Sequence, residues 1–321
     1  MAPSPRPSVP LKNLETNSEL VNLELVNMKT IWVFPGQGSQ ASGMNADLEV
    51  VGAAKFATAS AILGWSVLEK CQDDPIELAK TQYTQPCLYT ISAILVDLLK
   101  AKGLQPDLVA GHSLGEYTAL YAAGVVDFAT GLQLVQARAT LMAECTGGAM
   151  VAMIGFKRDE LEAAIASTDN VVLANDNSAE QVVISGTPEA INHVTGKVKA
   201  KRAIPLAVSG AFHSPLMAEA AAKFALKLDT VKFADSKIPV LSNVEPNEPL
   251  TKGQELHHCL RKQITCPVRW REICLYLAQQ NYTQAIEIGS GKVLTGLIKR
   301  TAPAIKLVNI SSMADVTNFA V

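Results

Sequence analysis

Residues 108–120 read LVAGHSLGEYTAL, a short apolar strand followed by a glycine-rich turn and a helix. The run Leu108-Val109-Ala110 has the length and hydrophobicity of a buried strand, and a helical pattern continues through Leu120. Between them, Gly111-His112-Ser113-Leu114-Gly115 matches the pattern G-x-S-x-G. The glycines permit a sharp strand-to-helix turn that lifts the serine hydroxyl out of the sheet. This predicts a nucleophile at Ser113, the plainer alternative being a serine that caps a helix.

Strands and helices alternate on both sides of this turn. Ile31–Phe34 is a short apolar run ended by Pro-Gly, and apolar residues recur at helical spacing from Leu88 to Leu99, ahead of Gly103. Later apolar runs at Ile238–Leu241 and Ala285–Ile288 predict two further strands of the same sheet. The alternation predicts an α/β fold with a mostly parallel sheet covered on both faces.

The middle of the chain has a different pattern, β-α-β-β-α-β, which is typical of a ferredoxin-like α+β subdomain. The predicted elements are Ala149–Ile154, Arg158–Ala166, Val171–Ala174, Val182–Ser185, Pro188–Ala200 and Ala203–Val208. We therefore expect a small domain at 148–208, inserted into a large α/β domain made of 28–147 and 209–321. Asn175 and Asn177 precede the strand at Val182 and are expected either to form a turn or to contact the cleft between the domains.

Residues 1–27 differ from the rest because they begin with a Pro/Ser-rich segment. We expect a flexible leader, or an upstream extension of a protein that could begin at Met28. Its acidic residues Glu15, Glu19 and Glu24 argue against an Arg-rich transit peptide.

Composition excludes several classes of function. The 321 residues are 48% hydrophobic and 18% charged with a net charge of −2, so the balance favours a globular enzyme over a nucleic-acid or membrane-surface binder. No apolar run approaches the roughly 18 residues that a membrane span needs.

The six cysteines form no C-x-x-C pair and no signal peptide is recognisable, so a reducing, cytoplasmic setting is expected. No metal-ligand spacing stands out, and we expect neither a metal nor a cofactor. The sequence does not settle the oligomeric state, for which we expect a monomer.

A serine nucleophile needs a base, and the chain has five histidines. Four have a plainer interpretation. His112 is the neighbour of Ser113 in the turn, and the other three are expected to be solvated helix residues: His193, His257 and His258. His213 remains, where the chain returns from the small domain. It is predicted to be the general base by elimination, the alternative being a hydrogen-bonded loop histidine.

Arg138 lies within an apolar arc of the helix predicted from Phe128 to Glu144. An arginine on a core-facing stripe either extends to water or meets an anion. The pattern alone leaves both alternatives open.

Four motifs appear in order along the chain and together resemble the malonyl-CoA:acyl carrier protein transacylase family of fatty acid synthesis. They are Pro35-Gly36-Gln37-Gly38-Ser39-Gln40, Gly111-His112-Ser113-Leu114-Gly115-Glu116, Phe212-His213-Ser214-Pro215-Leu216-Met217 and Pro267-Val268-Arg269-Trp270. The resemblance runs from about Met28 to Arg300. It implies a hydrolase-like core with a ferredoxin-like subdomain, malonyl-CoA as substrate and acyl carrier protein as partner.

The resemblance also implies a role for individual residues. Ser113 would carry the acyl group, with His213 as its base and the backbone N–H groups of Gln37 and Leu114 as the oxyanion hole. The backbone carbonyl at Gln263 would orient the histidine, in place of a third acidic residue.

Two further residues are implied to select the substrate. Arg138 would bind the malonyl carboxylate, because a guanidinium fork pairs with a carboxylate through two bonds. In related domains Ala-Phe-His goes with malonyl and Ala-Ser-His with methylmalonyl, which makes Phe212 a specificity residue.

Two other functions remain as alternatives. A serine esterase or thioesterase would use the same serine and histidine with water as the acceptor, and would release malonate without a carrier. A non-catalytic subunit of a synthase complex would form no acyl-enzyme. The sequence leaves open whether the product enters fatty acids or a polyketide, and where a carrier protein docks.

Overall fold

The computed structural model describes residues 28–319, so the predicted leader at 1–27 lies outside the described residues. Within 28–319 the strands are β1 (Thr30–Phe34), β2 (Leu108–Gly111), β3 (Ala149–Phe156), β4 (Val171–Ser178), β5 (Gln181–Gly186), β6 (Ala200–Pro205), β7 (Val240–Leu241), β8 (Gln284–Ile288) and β9 (Lys306–Ile310). Over the same residues the α-helices are α1 (Ala53–Leu63), α2 (Val67–Lys70), α3 (Pro75–Leu78), α4 (Thr81–Ala101), α5 (Gly115–Ala122), α6 (Phe128–Glu144), α7 (Arg158–Ala166), α8 (Pro188–Lys197), α9 (Ala218–Leu228), α10 (Gly253–Gln263), α11 (Trp270–Gln279), α12 (Val293–Thr301) and α13 (Met313–Asn318).

The larger sheet has five parallel strands in the order β7-β2-β1-β8-β9. Successive side chains of β1 point to opposite faces, as strand geometry requires. Trp32 and Phe34 enter the core that contains α4 and α6, whereas Ile31 and Val33 enter the core that contains α11 and α12. The sheet is therefore covered on both faces, and the predicted α/β class is confirmed.

The smaller sheet has four antiparallel strands in the order β4-β5-β3-β6. With α7 and α8 it forms the β-α-β-β-α-β arrangement that the sequence predicts, and a separate hydrophobic core lies between the sheet and these helices. All of these elements fall within 148–208. The domain borders themselves stay predictions.

Several predicted elements differ from the observed ones at their ends. The helix predicted from Leu88 begins earlier, at Thr81, and contains Pro86 within its first two turns. Strand β6 begins at Ala200 and ends at Pro205, because the preceding helix stops at Lys197 and Val198 is already extended. Strand β9 has no predicted counterpart, since its burial is only partial along most of its length.

No helix within 28–319 is long and apolar enough to cross a membrane. All six cysteine thiols are free.

Candidate active site

Ser113 lies at the turn between β2 and α5 with a φ of 52°, a backbone conformation that few non-glycine residues adopt. The two flanking glycines are required by close backbone contacts. A Cβ atom on Gly111 would lie 1.9 Å from the backbone carbon of Gly115, and one on Gly115 would lie 2.0 Å from the backbone oxygen of Phe34. The G-x-S-x-G pattern is therefore a steric requirement of this turn.

Three parallel strands end beside this turn and bring their following residues together. Gln37 follows β1 and Asn243 follows β7, and these strands flank β2 in the sheet. The Asn243 side chain accepts a hydrogen bond from the Ser113 N–H at 2.7 Å and donates one to the Gly111 carbonyl at 2.5 Å. Asn243 thus holds the turn from the neighbouring strand.

His213 reaches the serine from the segment that follows the small sheet. Its Nε2 lies 2.8 Å from Ser113 Oγ, and its Nδ1 lies 2.9 Å from the Gln263 carbonyl and 3.2 Å from the Cys266 carbonyl. Carbonyl oxygens only accept hydrogen bonds, so Nδ1 must carry the proton and Nε2 is left as an acceptor for the serine hydroxyl. This is the tautomer that a general base needs.

The surroundings of His213 favour its neutral form. Burial and then the nearby positive charge of Arg138 lower the pKa of His213 to about 3. The imidazole is therefore neutral at neutral pH. Its φ is 58°, and its backbone N–H donates to the Ile264 carbonyl at 3.1 Å.

Arg138 projects from α6 and is fully buried. Its Nη2 donates to Ser113 Oγ at 2.9 Å and to the Gln263 side-chain oxygen at 3.2 Å, while Nη1 donates to the Gln85 side-chain oxygen at 2.8 Å. Its Nε has no partner within the described residues. Three of the five guanidinium N–H groups therefore have a hydrogen-bond partner among the described residues, and the guanidinium lies over the Tyr117 ring. Burial lowers the pKa of Arg138 from its ordinary value.

A cavity of about 90 Å³ opens onto the serine and the histidine. Phe212, Met142 and Met150 contribute apolar walls, and Gln37, Gln85 and Asn175 contribute polar groups. Arg138 is not among its lining residues, and it contacts the cavity through the Ser113 hydroxyl. A carboxylate that binds Arg138 would therefore compete with this hydrogen bond.

The backbone N–H groups of Gln37 and Leu114 donate to no acceptor within residues 28–319. Each follows a strand end at the edge where Ser113 lies. Unpaired donors at this position are suited to a developing oxyanion.

Sequence reasoning missed three polar residues of this site. Asn243 directly follows a buried strand, which is the signal that could have found it. Glu116 lies in the quoted motif but received no role, and Gln85 lies on a helix buried almost throughout. Of the two alternatives for Asn175 and Asn177, the turn is wrong, because both lie in β4, where the side-chain oxygen of Asn177 faces His112 Nε2 at 2.8 Å.

Within the described residues, no group of three or more His, Cys, Asp or Glu side chains could hold a metal ion.

Residues 31–317 match the family of acyl transferase domains. A malonyl CoA-acyl carrier protein transacylase of Synechocystis is 55% identical over 293 residues, 91% of this chain and all of the relative, and one of Escherichia coli is 42% identical over 84% of this chain and 91% of the relative. The Synechocystis crystal structure covers 91% of this chain and 100% of its own, with a TM-score of 0.89. A malonyl-transacylase in complex with its type II polyketide synthase acyl-carrier protein gives a TM-score of 0.84 at 39% identity, and the match covers 90% of this chain and 98% of that one. The chain belongs to the acyl transferase domain family, among the malonyl-CoA:acyl carrier protein transacylases.

Proposed function

We propose that this chain transfers a malonyl group from malonyl-CoA to the phosphopantetheine thiol of an acyl carrier protein through an ester on Ser113. The observation that carries the proposal is the arrangement around the Ser113 hydroxyl. A neutral imidazole nitrogen lies 2.8 Å away and a guanidinium nitrogen 2.9 Å away. The first can remove the proton, and the second can bind a carboxylate on the acyl group.

The reaction divides into two transfers that use the same groups. In the first, Ser113 Oγ attacks the thioester carbonyl while His213 Nε2 accepts its proton. The carbon–sulfur bond breaks, and the imidazolium returns the proton to the departing sulfur of CoA. In the second, the carrier thiol gives its proton to His213 and attacks the malonyl ester, and the proton then returns to Ser113.

The N–H groups of Gln37 and Leu114 would bind the oxyanion that forms in both transfers. In comparable enzymes each such donor contributes about 3–4 kcal/mol. The carbonyl of Gln263 keeps the base in the required tautomer, since it accepts from Nδ1 at 2.9 Å. Every step is acid–base or acyl-transfer chemistry of these groups, so we propose that no cofactor takes part.

Substrate choice would depend on Arg138 and Phe212. Arg138 would select malonyl over acetyl because only malonyl offers a carboxylate to the buried cation. Phe212 is buried in the cavity wall, where its ring would leave little room for a branch at the α-carbon.

The setting of the enzyme is part of the proposal. The carrier protein would be that of fatty acid synthesis, and the enzyme would act as a monomer in the cytoplasm.

Intact-mass measurement after incubation with malonyl-CoA tests the proposal. The wild type should gain one malonyl group, Ser113→Ala should gain none, and His213→Ala should be labelled about 10²–10⁴-fold more slowly. Ser167→Ala is the control, since Ser167 lies at the end of α7 in the small domain, donates to the Ala164 carbonyl at 3.1 Å and should leave labelling intact.

The substrate specificity is tested with the second thioester. Arg138→Ala should label equally with malonyl-CoA and acetyl-CoA, whereas the wild type should prefer malonyl-CoA. Equal labelling of the wild type would contradict the role of Arg138. Rapid release of malonate without a carrier would indicate a thioesterase.

A further inference from the structure

Arg138 is a buried cation whose hydrogen-bond partners are all neutral. It donates to a hydroxyl, on Ser113, and to two side-chain amides, on Gln85 and Gln263. Within residues 28–319 no carboxylate oxygen lies within 4 Å of its guanidinium. An isolated buried charge is costly, so a compensating anion is expected nearby.

Glu116 is a buried carboxyl group whose partners are also neutral. Burial raises its pKa, while the hydrogen bond from Gln263 and the charge of Arg138 lower it. It is 1% exposed and lies in the first turn of α5, three residues after Ser113. Its Oε2 accepts from the Gln263 amide nitrogen at 2.6 Å and from the Asn243 N–H at 3.4 Å. No lysine or arginine pairs with it within the described residues. A carboxyl group that faces N–H donors fits the ionised form, which only accepts.

The side chain of Gln263 connects these two charges. Its oxygen accepts from Arg138 Nη2 at 3.2 Å, and its nitrogen donates to Glu116 Oε2 at 2.6 Å. The amide dipole is therefore aligned between cation and anion, with the oxygen toward Arg138 and the nitrogen toward Glu116. Hydrogen bonds arranged in such a chain polarise and strengthen one another.

We propose that Glu116 is the counter-ion of Arg138, acting through the Gln263 amide, and that this indirect pairing leaves the guanidinium available for the carboxylate of the substrate. Glu116 is then a positioning residue, because it touches neither the substrate nor the reacting atoms. The inference rests on the proposed binding of the malonyl carboxylate to Arg138.

The spacing of the two charges has a functional consequence. A carboxylate in direct contact with Arg138 would occupy the fork that the substrate needs. Without any counter-ion, the malonyl carboxylate would be the only anion beside Arg138 and would be held more tightly. The indirect pair stabilises the site when no substrate is bound. It also weakens the binding of the malonyl carboxylate to Arg138, so that the malonyl group can pass to the carrier.

The test uses the full chain and replaces Glu116→Gln, which keeps the side-chain shape and removes the charge. Thermal unfolding with malonate or the neutral acetamide as the probe gives Tm and the affinity for each compound. We expect a lower Tm without ligand and malonate binding on the order of tenfold tighter than in the wild type, because the repulsion between two buried anions is removed. Acetamide, which is neutral and offers no carboxylate, should give no comparable gain. Malonate affinity equal to or weaker than that of the wild type would overturn the proposal.

Glu287→Gln is the matched control. Glu287 is equally buried, but its carboxylate accepts from the backbone N–H groups of Leu294 and Thr295 at 3.0 and 2.7 Å. This variant should lose stability and keep the wild-type affinity for malonate. Tighter malonate binding in Glu287→Gln would contradict the specific pairing.

A second variant covers the case in which Glu116→Gln does not fold. The double variant Glu116→Gln with Arg138→Gln removes both charges, so it should unfold at a higher temperature than Glu116→Gln alone. No recovery in the double variant would overturn the pairing. Failure of the proposed function is distinguishable, because then the wild type itself would gain no malonyl group from malonyl-CoA.

Discussion

The serine turn and the histidine segment both hold a non-glycine residue at positive φ, 52° at Ser113 and 58° at His213, but different contacts fix them. The turn is fixed by backbone packing, since Gly111 and Gly115 leave no space for a Cβ atom. The histidine is fixed by hydrogen bonds to backbone groups about 50 residues away, at the end of α10. We therefore expect substitutions at the turn to damage the fold, and changes around the histidine to alter its chemistry while the fold persists.

The largest effect is expected for Gly115→Ala. The new Cβ atom would lie 2.0 Å from the backbone oxygen of Phe34 in β1, and neither backbone segment can move without disturbing the central sheet. We expect a loss of at least about 3 kcal/mol in the free energy of unfolding, measured by urea denaturation.

Gly296→Ala is the control for that substitution. Gly296 lies within α12 and a Cβ atom there would meet nothing within 4 Å. Alanine should stabilise this helix by up to about 1 kcal/mol. Equal stability of Gly115→Ala and the wild type would show that the turn is not fixed by packing.

A smaller effect is expected for Asn243→Ala, which removes the only side chain that spans the turn from the neighbouring strand within the described residues. The Ser113 N–H and the Gly111 carbonyl would lose their partners, at a cost of about 1–3 kcal/mol in the free energy of unfolding. The rate of malonyl-enzyme formation should fall by tenfold or more, because the hydroxyl would be less well positioned.

Asn309→Ala provides the comparison for this second variant. Asn309 also donates to a backbone carbonyl, that of Gly291 at 2.8 Å, but the bond is exposed. Its loss should change stability by less than about 0.5 kcal/mol. If the two asparagine variants behave alike, the turn does not depend on Asn243, and the glycine packing and the Gln263 hydrogen bond to the Ser113 carbonyl hold it.

The same difference explains what could be predicted from the sequence. The serine turn was predictable because its constraint is local and appears as two glycines at fixed spacing. His213 could be selected only by elimination and by resemblance, since the carbonyls of Gln263 and Cys266 leave no side-chain signature. Asn243 and Glu116 were missed because their partners are distant in sequence. Asn243 reaches Ser113 because β7 lies beside β2, and Glu116 reaches Gln263 at the end of α10.

The effect that is smallest at neutral pH concerns the charge state of His213. Burial and the Arg138 cation hold its pKa at about 3, well below its ordinary value of 6.5. Below pH 6.5 the His213 ring binds a proton in the unfolded chain but not in the folded protein. The free energy of unfolding should therefore fall as the pH decreases from 6.5 toward 3, by up to about 1.4 kcal/mol per pH unit for this group.

Arg138→Gln would separate the two causes of this shift. Removing the cation should raise the pKa of His213 part of the way toward 6.5, while burial continues to lower it. NMR titration of the His213 ring between pH 5 and pH 8 measures this, and the wild-type ring should stay neutral throughout that range. Arg269→Gln is the control, because Arg269 pairs with Glu272 and should leave the His213 titration unchanged. A wild-type ring that titrates near 6.5 would mean that the histidine segment opens to water, and that its hydrogen bonds hold it less firmly than packing holds the serine turn.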